Sequence, residues 1–272
     1  MIRRSLPPLF CLLSLALPGL ALAAGSTAPG LYLRWEQCYT DGGAANRVFA
    51  CDTNAGTSTL VVSFEVAQAV SLVSGLEVNI DIATPEAVLP AWWQFMNVGT
   101  CRRTSLSMLA QAPANSVNCV DWSAGQAAGG IGSYGVAANI PTIDRYRLKL
   151  ALAVLPSAIT TLSPGQEYVA CLLRFDHLNT VGSSACAGCS APACIKAQWL
   201  KIVTNTPGGA GDVSLSLPAD GPGSDRVSWQ DGAFAGLTYQ CTLNNGCYTD
   251  YTCTSVTPTR GSTWGAMKAL YR

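Results

Sequence analysis

The side chains able to do chemistry are few. The chain holds one histidine, His177, against twelve cysteines and sixteen carboxylates. Nucleophilic catalysis pairs Ser or Cys with a base, usually histidine, that a third group orients. His177 follows Phe175-Asp176 at the end of an apolar-alternating stretch, with Cys171 upstream on its apolar side, so a strand-end histidine without catalytic role is expected. The sequence contains no G-x-S-x-G, H-E-x-x-H or phosphate-loop pattern. Glycoside hydrolysis by paired carboxylates stays open as an alternative, because the two acids need not be neighbours in sequence. Asp81, Glu86, Asp121, Asp144 and Glu167 are its candidates. Asp52-Thr53-Asn54-Ala55-Gly56 alternates oxygen donors before a turn glycine, as calcium loops do, but lacks the later bidentate acid. An Asx-type turn is expected there, and no cofactor is expected anywhere.

The cysteines carry a stronger signal. Residues 1–23 read as an export leader: Arg3-Arg4, an apolar run from Leu6 to Leu22, then small residues, with cleavage expected after Ala23. Pro7, Pro8, Pro18 and Gly19 interrupt the run and no stop-transfer pattern follows, so the mature chain is expected to lack a transmembrane segment. Losing Cys11 leaves an odd number of cysteines in a chain bound for an oxidising compartment. The disulfide candidates are Cys38, Cys51, Cys101, Cys119, Cys186, Cys189, Cys194, Cys241, Cys247 and Cys253. Cys171 is the expected leftover thiol. Cys38 with Cys51, and Cys101 with Cys119, flank loops that a local bridge would close, although spacing does not fix connectivity. Cys253 is the candidate partner for one of Cys186, Cys189 and Cys194, and the trio Cys241, Cys247 and Cys253 is expected to contain the remaining bridges. Cys186-Ala187-Gly188-Cys189 is also half of a zinc pattern, but no second C-x-x-C exists, so no metal is expected.

These groups need a scaffold, and the alternation of the chain supplies it. Leu60, Val62, Phe64 and Val66 fall on one face, with Ser63 and Glu65 on the other. Leu76 to Ile82, Tyr146 to Val154 and Tyr168 to Phe175 repeat the pattern, each a strand with one buried face. Further strands are expected over Ile195 to Val203, Val213 to Leu217 and Arg226 to Trp229, with Gly125 to Gly135 and Thr206 to Gly211 as glycine-rich connections. Many short strands imply an all-β fold: a disulfide-stapled two-sheet β-sandwich over residues 24–232, followed by a cysteine-containing C-terminal extension, residues 233–272. Equal numbers of basic and acidic side chains leave no basic field for nucleic acid.

Trp92-Trp93, read as part of a strand crossing or short covering segment, would face opposite sides, one entering the core and the other covering a loop or reaching solvent. They are the candidate aromatics for a sugar platform. In the tail, Ser262 or Thr263 is suited to cap a terminal helix placing Trp264, Met267 and Tyr271 on one side, with Lys268 and Arg272 near its negative end. Trp264, Met267, Lys268, Leu270, Tyr271 and Arg272 are equally candidates for a recognition tail read by export or attachment machinery.

Leu31-Tyr32-Leu33-Arg34-Trp35, Leu89-Pro90-Ala91-Trp92-Trp93-Gln94-Phe95, the Cys186 to Cys194 cluster and the Trp264-Gly265 to Tyr271-Arg272 ending resemble a group of secreted bacterial proteins with no assigned activity. The strand from Leu76 to Ile82 and Leu162-Ser163-Pro164-Gly165-Gln166-Glu167-Tyr168 are similar to cohesin-like and immunoglobulin-like sandwiches of cell-surface scaffolds. That resemblance implies a sandwich that binds rather than catalyses. The expectation is a non-catalytic protein that is secreted, extracellular, on the outer cell surface or periplasmic. Its partner is a protein or glycan at the cell surface, with a glycan-binding module or carbohydrate-active hydrolase as the alternative.

Overall fold

The computed structural model describes residues 29–137, 145–242 and 246–255. The expected leader and the tail from residue 256 lie outside them. The strands are β1 (Gly30–Trp35), β2 (Asn46–Arg47), β3 (Thr57–Glu65), β4 (Val70–Ala83), β5 (Leu106–Leu109), β6 (Val120–Asp121), β7 (Ala128–Val136) and β8 (Arg145–Ala153). They continue as β9 (Thr160–Leu162), β10 (Tyr168–Asp176), β11 (Ala193–Thr204), β12 (Val213–Leu215), β13 (Arg226–Trp229), β14 (Gly232–Thr242) and β15 (Gly246–Ser255). One sheet runs β1-β3-β10-β5, with β6 beside β10. The other runs β2-β13-β11-β4-β8-β7, with β12 on β11 and β9 on β4, and β14 pairs with β15 as a separate hairpin. The fold is a disulfide-stapled, all-β two-sheet sandwich.

Period-two patterning decides which residues meet between the sheets. Leu60, Val62 and Phe64 of β3 and Leu173 and Phe175 of β10 enter one buried cluster with Leu76, Val78, Ile80 and Ile82 of β4 and Leu148, Leu150 and Leu152 of β8. The outward rows differ from a solvated face. Ser63, Glu65 and Asp81 are all buried. Asp81 is covered because the β14–β15 hairpin lies along the second sheet as a third layer: Cys253 bonds to Cys194, Gln198 pairs with the backbone of Thr249, and Arg145 pairs with Asp250 at 2.9 Å. Beneath it Asp81 takes both arms of Arg147, and Lys196 is ion-paired with Asp225. Buried charges of this kind are tolerated because each has a partner.

Three expectations are corrected. The glycine-rich stretch from Gly125 to Gly135 is not simply a connection, since most of it forms edge strand β7 on β8. Glycine suits that pairing: a Cβ on Gly129 would stand 2.2 Å from the Ala151 carbonyl oxygen. Trp92 and Trp93 lie in a 3-10 turn, not a strand crossing, and both point inward with no exposed surface. A turn of that kind escapes the strict alternation of a strand, and the two rings meet edge-on at 5.0 Å. The local bridges do not form either. Cys38 pairs with Cys119, Cys51 with Cys189, and Cys101 with Cys186, all between segments distant in sequence.

Candidate functional site

The end of the sandwich where β3 starts and β10 finishes gathers the reactive groups. Ser58 stands opposite Phe175 in the β3–β10 register, and His177 follows β10 directly. The Ser58 hydroxyl lies 2.9 Å from His177 Nε2, while His177 Nδ1 lies 3.0 Å from the Ala55 carbonyl oxygen. A carbonyl only accepts, so in the neutral ring Nδ1–H donates to it and Nε2 accepts from Ser58. That is the tautomer of a Ser–His catalytic pair with a backbone carbonyl as the orienting group. Reagent access is what it lacks. Ser58 is fully buried, His177 is 4% exposed, and Phe49 stacks on the imidazole at 3.9 Å. Burial also pushes the imidazole pKa below its ordinary value, in spite of the Ala55 hydrogen bond. The arrangement ties the loop before β3 to the end of β10.

Around it, three loops are clamped into one surface. Asn54 accepts from the backbone N–H groups of Thr180 and Val181 and donates to the Val181 carbonyl, so its oxygen serves a loop contact instead of a cation. Asn179 donates to the Cys101 carbonyl, and Trp92 Nε1 donates to Thr180. Two disulfides complete the clamp, Cys51–Cys189 and Cys101–Cys186. The two sulfurs of the C-x-x-C therefore leave for different partners, and no thiolate pair remains there for zinc. Arg102 lies beneath, its guanidinium 3.6 Å above the Trp92 ring and donating to the Asp176 carbonyl. Desolvation lowers its pKa to about 9.

Three of the expected carboxylates, Asp81, Asp121 and Glu167, are spent on the fold. Glu167 accepts from the N–H groups of Tyr39 and Thr40 and from the hydroxyls of Thr40 and Ser63. Its oxygens approach the sulfurs of Cys38 and Cys119 within 4.8 Å, but those sulfurs are bonded to each other. Asp121 accepts from Ser123 and Gly125. Glu86 is exposed, and Asp144 lies outside the described residues. Trp92 and Trp93, being buried, offer no face to a sugar. Cys171 is a free buried thiol whose pKa desolvation raises to about 12. The tail residues Trp264, Met267, Lys268, Leu270, Tyr271 and Arg272 lie outside the described residues. Among the described residues no helix is long and apolar enough to cross a membrane.

The pairing of Ser58 with His177 had no sequence signature, because only the β3–β10 register brings them together. The same holds for Asn54 and Val181.

No protein-family model and no curated protein matches the chain. A solved structure of AvmM, which catalyses macrocyclization in alchivemycin A biosynthesis, is 13% identical over 71% of this chain and 90% of that one, with a TM-score of 0.30. Likeness that slight carries nothing about this chain's chemistry.

Proposed function

We propose that this chain is a non-catalytic secreted or cell-surface protein that presents the clamped loop end of its sandwich to a protein or glycan partner. The single observation behind this reading is that two disulfides and the Asn54 hydrogen bonds hold three loops rigid, while the nearest approach to a catalytic pair is sealed beneath them. Ordering loops in advance lowers the entropic cost of binding, which gives such staples a use beyond stability. Val48 and Leu178 are 64% and 48% exposed and flank the stacked Phe49 and His177, which makes them the apolar contact points of that surface. The C-terminal tail would deliver or anchor the domain.

The test is saturable binding of the fluorescently labelled mature chain to intact cells of its source and to a glycan array. Val48→Asp with Leu178→Asp should lower cell-surface binding at least tenfold without shifting the melting temperature. Hydrolysis of a p-nitrophenyl ester or glycoside that Ser58→Ala abolishes would overturn the reading, as would binding that the double variant leaves intact.

A further inference from the structure

The opposite end of the sandwich, where β3 finishes and β1 and β4 begin, is built differently. A cavity of about 400 Å³ opens there between the start of β1, the β3–β4 turn, and β12 with the residues that follow it. Its floor is the core itself, since Val66 and Val70 belong to the main buried cluster, and Val213 and Leu215 pack against that cluster from the side. Backbone bonds fix the third wall: Leu31 N–H donates to the Leu217 carbonyl at 2.9 Å, and Ala219 N–H donates to the Leu31 carbonyl. Gly30 permits this approach, because a Cβ there would stand 2.5 Å from the Leu217 oxygen. The cavity is thus preformed, at the lower end of the size range of small-molecule sites.

Among the described residues the lining contains no ionisable side chain; its polar side chains are those of Gln68, Ser214 and Ser216. An ion entering such a site would lose its hydration with no charged partner to replace it. We infer that this cavity binds a small uncharged ligand consisting of an aliphatic chain with one neutral hydrogen-bonding head, such as a fatty alcohol or an acyl ester. The chain rests on Val66, Val70 and Leu215, and the head meets the amide of Gln68 at the exposed turn. Leu217, 55% exposed, forms the rim over which the chain passes. The site is independent of the loop end proposed above as the partner surface.

The experiment uses N-phenyl-1-naphthylamine, an uncharged apolar fluorophore, titrated into the mature chain. Saturable one-to-one enhancement is expected, displaced by 1-decanol at a concentration at least tenfold below that needed for decanoate or decylammonium. Ala69→Trp and Leu217→Asp both change exposed positions, so each should keep the wild-type melting temperature while weakening the probe at least tenfold. Val48→Asp with Leu178→Asp, at the far end, should leave it unchanged. Lack of saturable binding, equal displacement by the charged amphiphiles, or indifference to both cavity variants would overturn the proposal. So would a ligand-free dimer that Leu217→Asp dissociates, which would assign the face to a second copy.

Discussion

Replacing Cys51 and Cys189 together by alanine tests the clamp directly. The bridge spans 138 residues, and closing a loop of that length alone corresponds to about 5 kcal/mol in the chain-entropy model. The other bridges shorten the path: from Cys51 back to Cys38, across to Cys119, back to Cys101, across to Cys186 and on to Cys189. That route covers roughly 34 residues, which reduces the expected contribution to about 4 kcal/mol. For a chain of this size such a loss lowers the melting temperature by roughly 8–16 °C. The assay is thermal and urea unfolding under non-reducing conditions, with limited proteolysis of residues 177–192 alongside. The urea slope should rise as well, because the unfolded chain expands when a cross-link is lost. A double variant that melts within about 2 °C of wild type and keeps that loop protease-resistant would refute the reasoning; Asn54 and the neighbouring hydrogen bonds would then hold the loops without the sulfur bridge.

Two further outcomes follow from His177 and from the cysteines. The buried imidazole binds its proton less readily than the unfolded chain, which titrates near 6.5, so the stability it contributes is whole above that pH and is lost as the pH falls from there towards the lower folded pKa. Urea midpoints should therefore drop more between pH 7.5 and 5.5 for the wild type than for His177→Gln, and equal drops would contradict this. Cys241 stands opposite Cys247 in the hairpin register, and directly opposite antiparallel residues have Cα atoms roughly 4.5–5.5 Å apart, within disulfide reach. Chymotryptic cleavage at Leu243 without reductant should leave two peptides that separate only on reduction, while Cys171 should alkylate only after denaturation. Free thiols at both hairpin positions would show the prediction false.

The strands were legible because alternation is a local property. Tyr146 to Val154 and Tyr168 to Phe175 mark their buried faces in the sequence, and the observed β8 and β10 differ from them by a residue or so at each end. Glycine-rich β7 escaped that reading, since its membership of the sheet depends on the neighbouring β8 more than on any side chain of its own. The candidate site was legible only in part. His177 stood out as the single imidazole, yet neither its Ser58 partner nor the closure over the pair by Phe49 had a local marker.

What the sequence determined by itself was the class of fold, through period-two apolar rows, and the stock of sulfurs available to staple it. The tertiary structure decided which sulfurs met, because each bridge joins segments remote in sequence that only the packing of the folded chain brings together. It also decided that Ser63, Glu65 and Asp81 lie buried on rows that read as solvent-facing, since what covers an outer face is set by chain segments remote in sequence. Reactivity followed from the same cause: Ser58 and His177 have the hydrogen bonds of a catalytic pair, and packing around them removes the access that catalysis requires.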